Sequence, residues 1–464
     1  MSDRSARVSE QVKKTSTLDS SPLKLKNKTL RSSIIFHVLG NIDYKQVRLW
    51  KIRLASLTII LGFVLNVGIY YWDAAYRGIN KGAFSSYLFQ AGDRFCGDYP
   101  EMGPHLFGDF YGTWQQTKFG NPYSNPILHY PSNYFPFAHL VMIPFSILDY
   151  TDAINIYIFL FVTFSIVYFF LEFRTDSILE TVIYAIAFGM MSYPIQFLLD
   201  RGNIEGIVFI FMVFFVHFYR IKKFNLAILF LACAGAMKAV PLIFVLIFIG
   251  DKNWKAVTKT IIMTGVLTLI GIVTIDGSIF NTINAIAGSL MHYSQVTSAV
   301  YQGSRNNLSL RNFFQVLSVL FDDSSLGWIF FELSKASIVF FIILVALTLL
   351  ALLKQSIRLW ERLGILSCFI ALFPSHSGDY KLVYFFLPFC ALVRDKWIAS
   401  SDLFAVTLFL LLILPKGGPI TSEINLGSLL NPPIILMLFL TIFITSYFGS
   451  VEKSLFELTE TTFS

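Results

Sequence analysis

The chain returns repeatedly to continuous apolar runs, the fullest of about 18 to 20 residues, each long enough as a helix to cross a hydrocarbon core roughly 30 Å thick. Inside lipid every backbone polar group must be satisfied within the protein, which leaves helices or a closed barrel. The runs are unbroken rather than alternating, so a transmembrane barrel is excluded. Only 14% of the 464 residues are charged, and Phe alone occurs 48 times; a soluble domain carries roughly 25% charged residues. The expected fold class is an all-α polytopic membrane protein.

Twelve spans are expected, near residues 53–72, 153–173, 178–199, 203–219, 225–237, 240–250, 256–275, 335–353, 362–374, 382–394, 398–415 and 432–448. Two of them are half-length and meet at Lys238-Ala-Val-Pro241, where the proline interrupts the run. The expected organisation is a disordered basic cytoplasmic tail over 1–52, an N-terminal membrane module over 53–275 with an external loop at 73–152, a second external loop at 276–334, a C-terminal membrane module over 335–448, and a short cytoplasmic tail over 449–464. The first apolar span begins near Leu54, so no cleavable leader is visible. Tyr134–Leu148 is ambiguous: it reads either as a further span or as an amphipathic segment at the membrane surface.

That choice sets the side on which everything downstream lies, and the distribution of basic residues decides it. If Tyr134–Leu148 does not cross, the cytoplasmic connections hold Arg174, Arg220, Lys222, Lys223, Lys252, Lys255, Lys259, Lys354, Arg358, Arg362, Arg394 and Lys396, and the short external ones only Arg201, Lys238, Lys381 and Lys416. Both termini are then cytoplasmic. The net charge of +7 is accounted for by this orientation signal and by the basic tail, which suits membrane lipids; it does not indicate nucleic acid. Cys96, Cys233, Cys368 and Cys390 show no CxxC spacing, and the seven histidines never fall at HExxH spacing, so neither a metal nor a cofactor is expected. A Walker loop and GxGxxG are likewise absent from the sequence.

In the same orientation Asp109, Arg201, Asn203, Lys238, Arg311, His376, Asp379 and Lys381 all fall at external span ends or in external loops. Charges beside apolar helices are expensive and commonly have partners or a task. Each also has a plainer reading. Asp109, within Leu106-Phe-Gly-Asp-Phe-Tyr111-Gly-Thr-Trp114, is either a base at the membrane edge or a solvated helix cap; Asp93 and Asp98 in the same loop are rivals. Asp200-Arg201-Gly202-Asn203 is either an internally neutralised turn or a phosphate-facing helix start. Lys238 is either snorkelling or held at a helix junction to meet a phosphate. Asn307-Leu-Ser309 and Ser375-His376-Ser377-Gly378-Asp379-Tyr380-Lys381 are either polar connections or lining of a site.

The order of these features resembles membrane glycosyltransferases of the C-type fold, closest to glycosyltransferase family 87, the polyprenyl-phosphomannose-dependent mannosyltransferases. The family pattern is matched by Asp109-Phe110, Gly120-Asn-Pro122-Tyr123, Tyr130-Pro131, Arg201-Gly202-Asn203-Ile-Glu205, Lys238-Ala-Val-Pro241 and Asn307-Leu-Ser309-Leu310, across roughly residues 53 to 395. It departs from the pattern at Asn203, where glutamine is usual, and at Glu205, where asparagine is usual. The late motif also lacks the usual tryptophan–histidine pair.

The resemblance implies an inverting transfer of a sugar, mannose favoured, from a polyprenyl-phosphate donor to a lipid or glycan acceptor. It implies Asp109 as general base, Arg201, Lys238, Lys381 and Arg311 as phosphate ligands, and Tyr111, Tyr123, Asn203, Asn307, His376, Asp379 and Tyr380 as substrate contacts. The lack of paired cysteines in the external loops, where only Cys96 lies, favours a bacterial plasma membrane over the endoplasmic reticulum. The alternative classes are a transporter or lipid flippase, which would show internal repeats and midplane charges, and a non-catalytic assembly protein.

Overall fold

A computed structural model of the protein describes residues 44–77, 107–123, 132–275, 278–300, 307–322, 324–352, 357–374, 377–395, 400–416 and 426–463. Most of the expected basic tail lies outside the described residues, as do Asp93, Asp98, Tyr130, Pro131 and His376. The first half of the chain forms α1 (Tyr44–Arg77), α2 (Gly108–Lys118), α3 (Pro136–Ser146), α4 (Tyr150–Glu172), α5 (Ile178–Ile186), α6 (Tyr193–Arg201), α7 (Glu205–Arg220), α8 (Phe224–Met237), α9 (Leu246–Gly250) and α10 (Trp254–Thr274). The second half forms α11 (Ile279–Val300), α12 (Leu310–Leu320), α13 (Ser325–Lys335), α14 (Ser337–Leu352), α15 (Leu359–Leu372), α16 (Phe386–Arg394), α17 (Ser400–Ile413) and α18 (Leu426–Phe463). Among the described residues no strand occurs beyond a single bridge between Asn307 and Gly378.

The chain is an integral membrane protein by the length and apolarity of its helices. Four stretches pass both tests, Lys45–Gly68, Tyr150–Glu172, Trp254–Thr274 and Leu426–Ser446. Two bent pairs bring the number to six: Ile178–Met191 with Tyr193–Arg201, bent by 44°, and Ser325–Lys335 with Ser337–Leu349, bent by 55°. Other runs expected as spans form shorter helices, such as α8 and α17. The stretches expected as external loops also hold helices: α2 and α3 in the first, α11, α12 and most of α13 in the second. α3 lies in the apolar stretch Tyr134–Leu148, whereas in α2 and α11 apolar residues are interleaved with polar ones, so no continuous run announces those two. The expected C-terminal tail continues the helix of α18.

α4 shows how such a helix is used. Its buried residues, Ala153, Ile154, Tyr157, Phe161, Ser165 and Phe169, recur every three to four positions and form one stripe. The opposite face shows Phe159, Leu160, Val167 and Leu171 outward, apolar residues that suit lipid and not water. The inner stripe meets a phenylalanine cluster in which Phe169 packs on Phe386 at 5.0 Å and Phe173 on Phe188 at 4.5 Å between ring centres. Aromatic pairs at such spacing hold more than their area alone provides.

Charge collects at the two ends of this bundle. At the end where α7 finishes, Arg220 and Arg394 both pair with Glu172, at 3.6 and 2.7 Å. Tyr219 and Arg362 share Asp251. Arg358 reaches Asp402 and Glu361, each at 2.7 Å, and lies over the Trp360 ring. Asp402 is fully buried, so removing Arg358 takes away the guanidinium that holds both its oxygens and leaves it the longer-range attraction of Lys51. Arg358→Ala is therefore expected to destabilise the protein by roughly 3–5 kcal/mol, read as a lowered melting temperature in detergent; an unchanged melting temperature would show that the cluster holds nothing.

Candidate functional site

The other end of the bundle carries most of the singled-out residues. α2 opens on Phe107, whose backbone is left-handed at φ 57°, and places Asp109 in its first turn, where the helix dipole favours a carboxylate. The helix is docked from behind. Trp114 Nε1 donates to the carbonyls of Phe145 and Leu148 at 3.2 and 3.3 Å, and Phe110 packs on Tyr157 at 5.1 Å. The Phe107 amide donates to the Asp200 carbonyl at 2.6 Å, which fastens α2 to the end of α6.

α6 ends at Gly202, left-handed at φ 58°, which lets the chain reverse into α7. A Cβ at this position would lie 2.8 Å from the Phe110 Cβ. Gly202→Ala is therefore expected to cost at least the roughly 1–2 kcal/mol of a left-handed alanine and to push α2 away from α6. Thermal stability and activity should fall together; full retention of both would contradict this packing.

On this frame Arg201 donates to Asp109 through Nη2 at 2.6 Å and Nε at 3.4 Å, and Asn203 Nδ2 donates to the same carboxylate at 2.7 Å. Arg201 thus turns to Asp109 rather than closing a pair with its neighbour Asp200. Asn203 is itself fixed, its Oδ1 accepting from the Glu205 amide at 2.9 Å and its carbonyl from the Tyr157 hydroxyl at 2.5 Å. Burial would raise the Asp109 carboxyl, but the Arg201 guanidinium and the Asn203 amide outweigh it and hold the carboxyl below its ordinary 3.8. The depressed value stabilises the fold above the ordinary value, and that contribution is lost as pH falls through the depressed one.

Lys238 stands in extended backbone between α8 and the 3₁₀ turn Val240–Val245. Its ammonium pairs with Glu205 and lies 5.3 and 5.4 Å from the ring centres of Tyr134 and Tyr380. Glu205, fully buried, also accepts from the Tyr384 hydroxyl at 2.5 Å. Lys381 is near enough to Glu205 and Lys238 to act on both electrostatically. One layer therefore holds two carboxylates, three cations and the tyrosine rings, with Asp109 and Arg201 still 22% and 30% exposed. Such a layer can accept a proton at a carboxylate and hold a phosphate on cations, once each group leaves its present partner.

The remaining candidates fall elsewhere. Tyr111 packs edge-on against Tyr150 at 5.1 Å, on the α2 face behind Asp109. Tyr123 donates its hydroxyl to the Tyr134 carbonyl at 2.7 Å, so the Gly120–Tyr123 turn steadies the ring that faces Lys238. Asn307 accepts through Oδ1 from the Ser309 and Ser377 amides, both at 3.0 Å, and clips the two connections that lead to α12 and Tyr380. Both residues use these polar atoms on the frame. Asp379 lies apart from Asp109, buried, with the Tyr193 hydroxyl donating to it and Lys416 nearby. Arg311 opens α12 and makes no ion pair with a described residue. Glu205, Tyr134, Tyr157 and Tyr384 were not among the expected site residues; only Glu205 left a sequence signal, as an acid opening an apolar helix. Among the described residues no group of His, Cys, Asp or Glu is placed to hold a metal ion.

The model of glycosyltransferase family 87 matches residues 133–374, more than half of the chain. The chain belongs to glycosyltransferase family 87. It is therefore a membrane glycosyltransferase. The matched residues include Arg201, Asn203, Glu205 and Lys238, whereas Asp109, Tyr380 and Lys381 lie outside them and join them only in space. No curated protein and no solved structure gives a significant match to the chain.

Proposed function

We propose that this family 87 glycosyltransferase is an inverting enzyme that moves a sugar, mannose on the family likeness, from a polyprenyl-phosphate donor to a hydroxyl of a lipid or glycan acceptor at the external membrane face. The observation that carries the reading is the meeting of Asp109 with Arg201 and of Glu205 with Lys238 at one end of the bundle. The polyprenyl tail lies along the lipid-facing helices, which the outward apolar residues of α4 suit.

Before the donor arrives Arg201 and Lys238 are each occupied by a carboxylate. The donor phosphate competes for Arg201 and Lys238, with Lys381 behind them and Arg311 the outer candidate. As Arg201 turns to the phosphate, Asp109 loses the partner that depresses it, and burial then makes it the stronger base. The acceptor hydroxyl gives its proton to Asp109, and its oxygen attacks the anomeric carbon opposite the phosphate. The carbon–oxygen bond to phosphate breaks with its electron pair leaving on polyprenyl phosphate, whose charge the cations stabilise. Substrate thus switches its own base on. The layer lies at the end expected to face outward; the lack of paired cysteines in the external loops favours the plasma membrane of a bacterium, with the endoplasmic reticulum lumen as the equivalent.

The donor class is tested on purified protein in liposomes, with the sugar labelled either on polyprenyl-phosphate mannose or on a nucleotide sugar. Label is expected to leave only the lipid donor. Transfer from the nucleotide sugar alone would overturn the proposal.

A further inference from the structure

The end of the bundle away from Asp109 contains a second built feature. α7 starts beside Lys238 and runs for 16 residues, so its far end lies about 24 Å away at 1.5 Å per residue. There the turn after α7 and the turn before α10 face each other across a cavity of about 570 Å³. Its polar lining is Lys222, Lys223, Lys255 and Lys259 with Asn225 and Asn253; among the described residues no carboxylate lines it. Asp251, the acid in the adjoining turn, is already held by Arg362 and Tyr219.

Orientation by positive charge explains why lysines occur at this end. It does not explain why four from two separate connections converge on one cavity. Like charges gathered there repel one another, and an anion relieves that repulsion. Lys259 donates to Asn225 at 3.2 Å, which joins the two walls. α8 and α10 both begin at the cavity, so the positive ends of two helices of 14 and 21 residues add to the same field.

The surroundings indicate an amphiphile rather than a free ion. Phe224, Leu226, Ile228 and Ala256 give the cavity an apolar lining, and Trp254, Ile261 and Ile262 stand exposed on α10. We infer that this cavity binds the head group of an anionic phospholipid in the leaflet opposite the proposed transfer site, its acyl chains lying along α10. Basic pockets between membrane helices recognise such head groups.

The test uses the full-length protein and native mass spectrometry, with phosphatidylglycerol or phosphatidylcholine added at equal concentration. Phosphatidylglycerol adducts are expected to dominate in the natural protein. They should fall at least about tenfold when Lys222, Lys223, Lys255 and Lys259 are all replaced by Gln, each lysine near an anionic lipid contributing about fivefold, and should persist when all four are replaced by Arg. If the fourfold variant does not fold, Lys255→Gln with Lys259→Gln replaces it, and a partial fall is expected. Equal binding of the two lipids, or adducts that survive the Gln substitutions, would overturn the inference. Millimolar inorganic phosphate that raises the melting temperature as much as the anionic lipid does would overturn it in favour of a soluble ligand.

Discussion

Asp109→Asn is expected to reduce sugar transfer by roughly 10²–10⁴-fold, the usual contribution of a positioned general base, while leaving the protein folded. The amide keeps the size of the carboxylate and can still meet Arg201 at the end of α6, but it cannot take a proton from the acceptor. The natural residue is held by three hydrogen bonds, from Arg201 Nη2, Arg201 Nε and Asn203 Nδ2. Asparagine can still accept through one oxygen, so the loss should appear in kcat far more than in melting temperature. A variant that retains transfer removes Asp109 from the mechanism. One that unfolds shows instead that the carboxylate is needed for structure, and Asp109→Glu, which keeps the charge, then separates the two roles by regaining stability without full activity.

Arg201→Gln is expected to lower kcat/KM by about 10²–10³-fold, the scale for loss of one preorganised group that stabilises developing charge. Its pH profile is the sharper test. Asp109 is held below its ordinary 3.8 chiefly because Arg201 opposes the effect of burial. With Arg201 gone, burial acts unopposed by the guanidinium and the carboxyl rises. The residual activity of the variant should therefore fail on its acid side at a higher pH than that of the natural enzyme. An acid limb that stays in place would mean that Arg201 does not set the ionisation of the base. Lys238, paired with Glu205, should affect donor affinity when replaced by Gln without moving this limb as far, because the pair on Asp109 is intact.

Much of the polar layer was legible in the sequence, because a charge beside an apolar run stands out. Asp109, Arg201, Asn203, Lys238, Tyr380 and Lys381 were all expected near one face, and the contacts from Asp109 to Arg201 and from Lys238 to Tyr380 draw them together. The role of each was less legible. Tyr123 and Asn307 read as substrate contacts because they sit in motif-like turns, yet they bond to backbone groups that position Tyr134 and Tyr380. Tyr157 from α4 and Tyr384 from the 3₁₀ turn Asp379–Phe385 carry hydroxyls into the layer, and nothing in the apolar residues beside them distinguishes those two rings from their neighbours. The count of twelve spans rests on the same averaging. An apolar run shows that a segment is buried in lipid or protein, but not whether it bends, as Ile178–Arg201 does at Ser192, or stops after 11 residues, as α3 does.

The placement of Asp109 rests on long-range contacts that local sequence does not encode. The helix that carries it is fixed by the Asp200 carbonyl, by the Tyr157 ring and by the chain end of α3. α3 itself is too short for a perpendicular crossing of the hydrocarbon core, which takes roughly 20 residues. It leaves Asp109 at the same end of the bundle as Arg201 and Lys238.

The central claim is that donor phosphate displaces Asp109 from Arg201. It is tested most directly by a cryo-electron microscopy structure of the protein with a non-transferable polyprenyl phosphonate sugar. The account predicts the phosphonate within hydrogen-bond distance of Arg201 and Lys238, and Asp109 parted from the guanidinium and facing the anomeric carbon. A phosphonate seated elsewhere, with the Asp109–Arg201 pair unbroken, would contradict it.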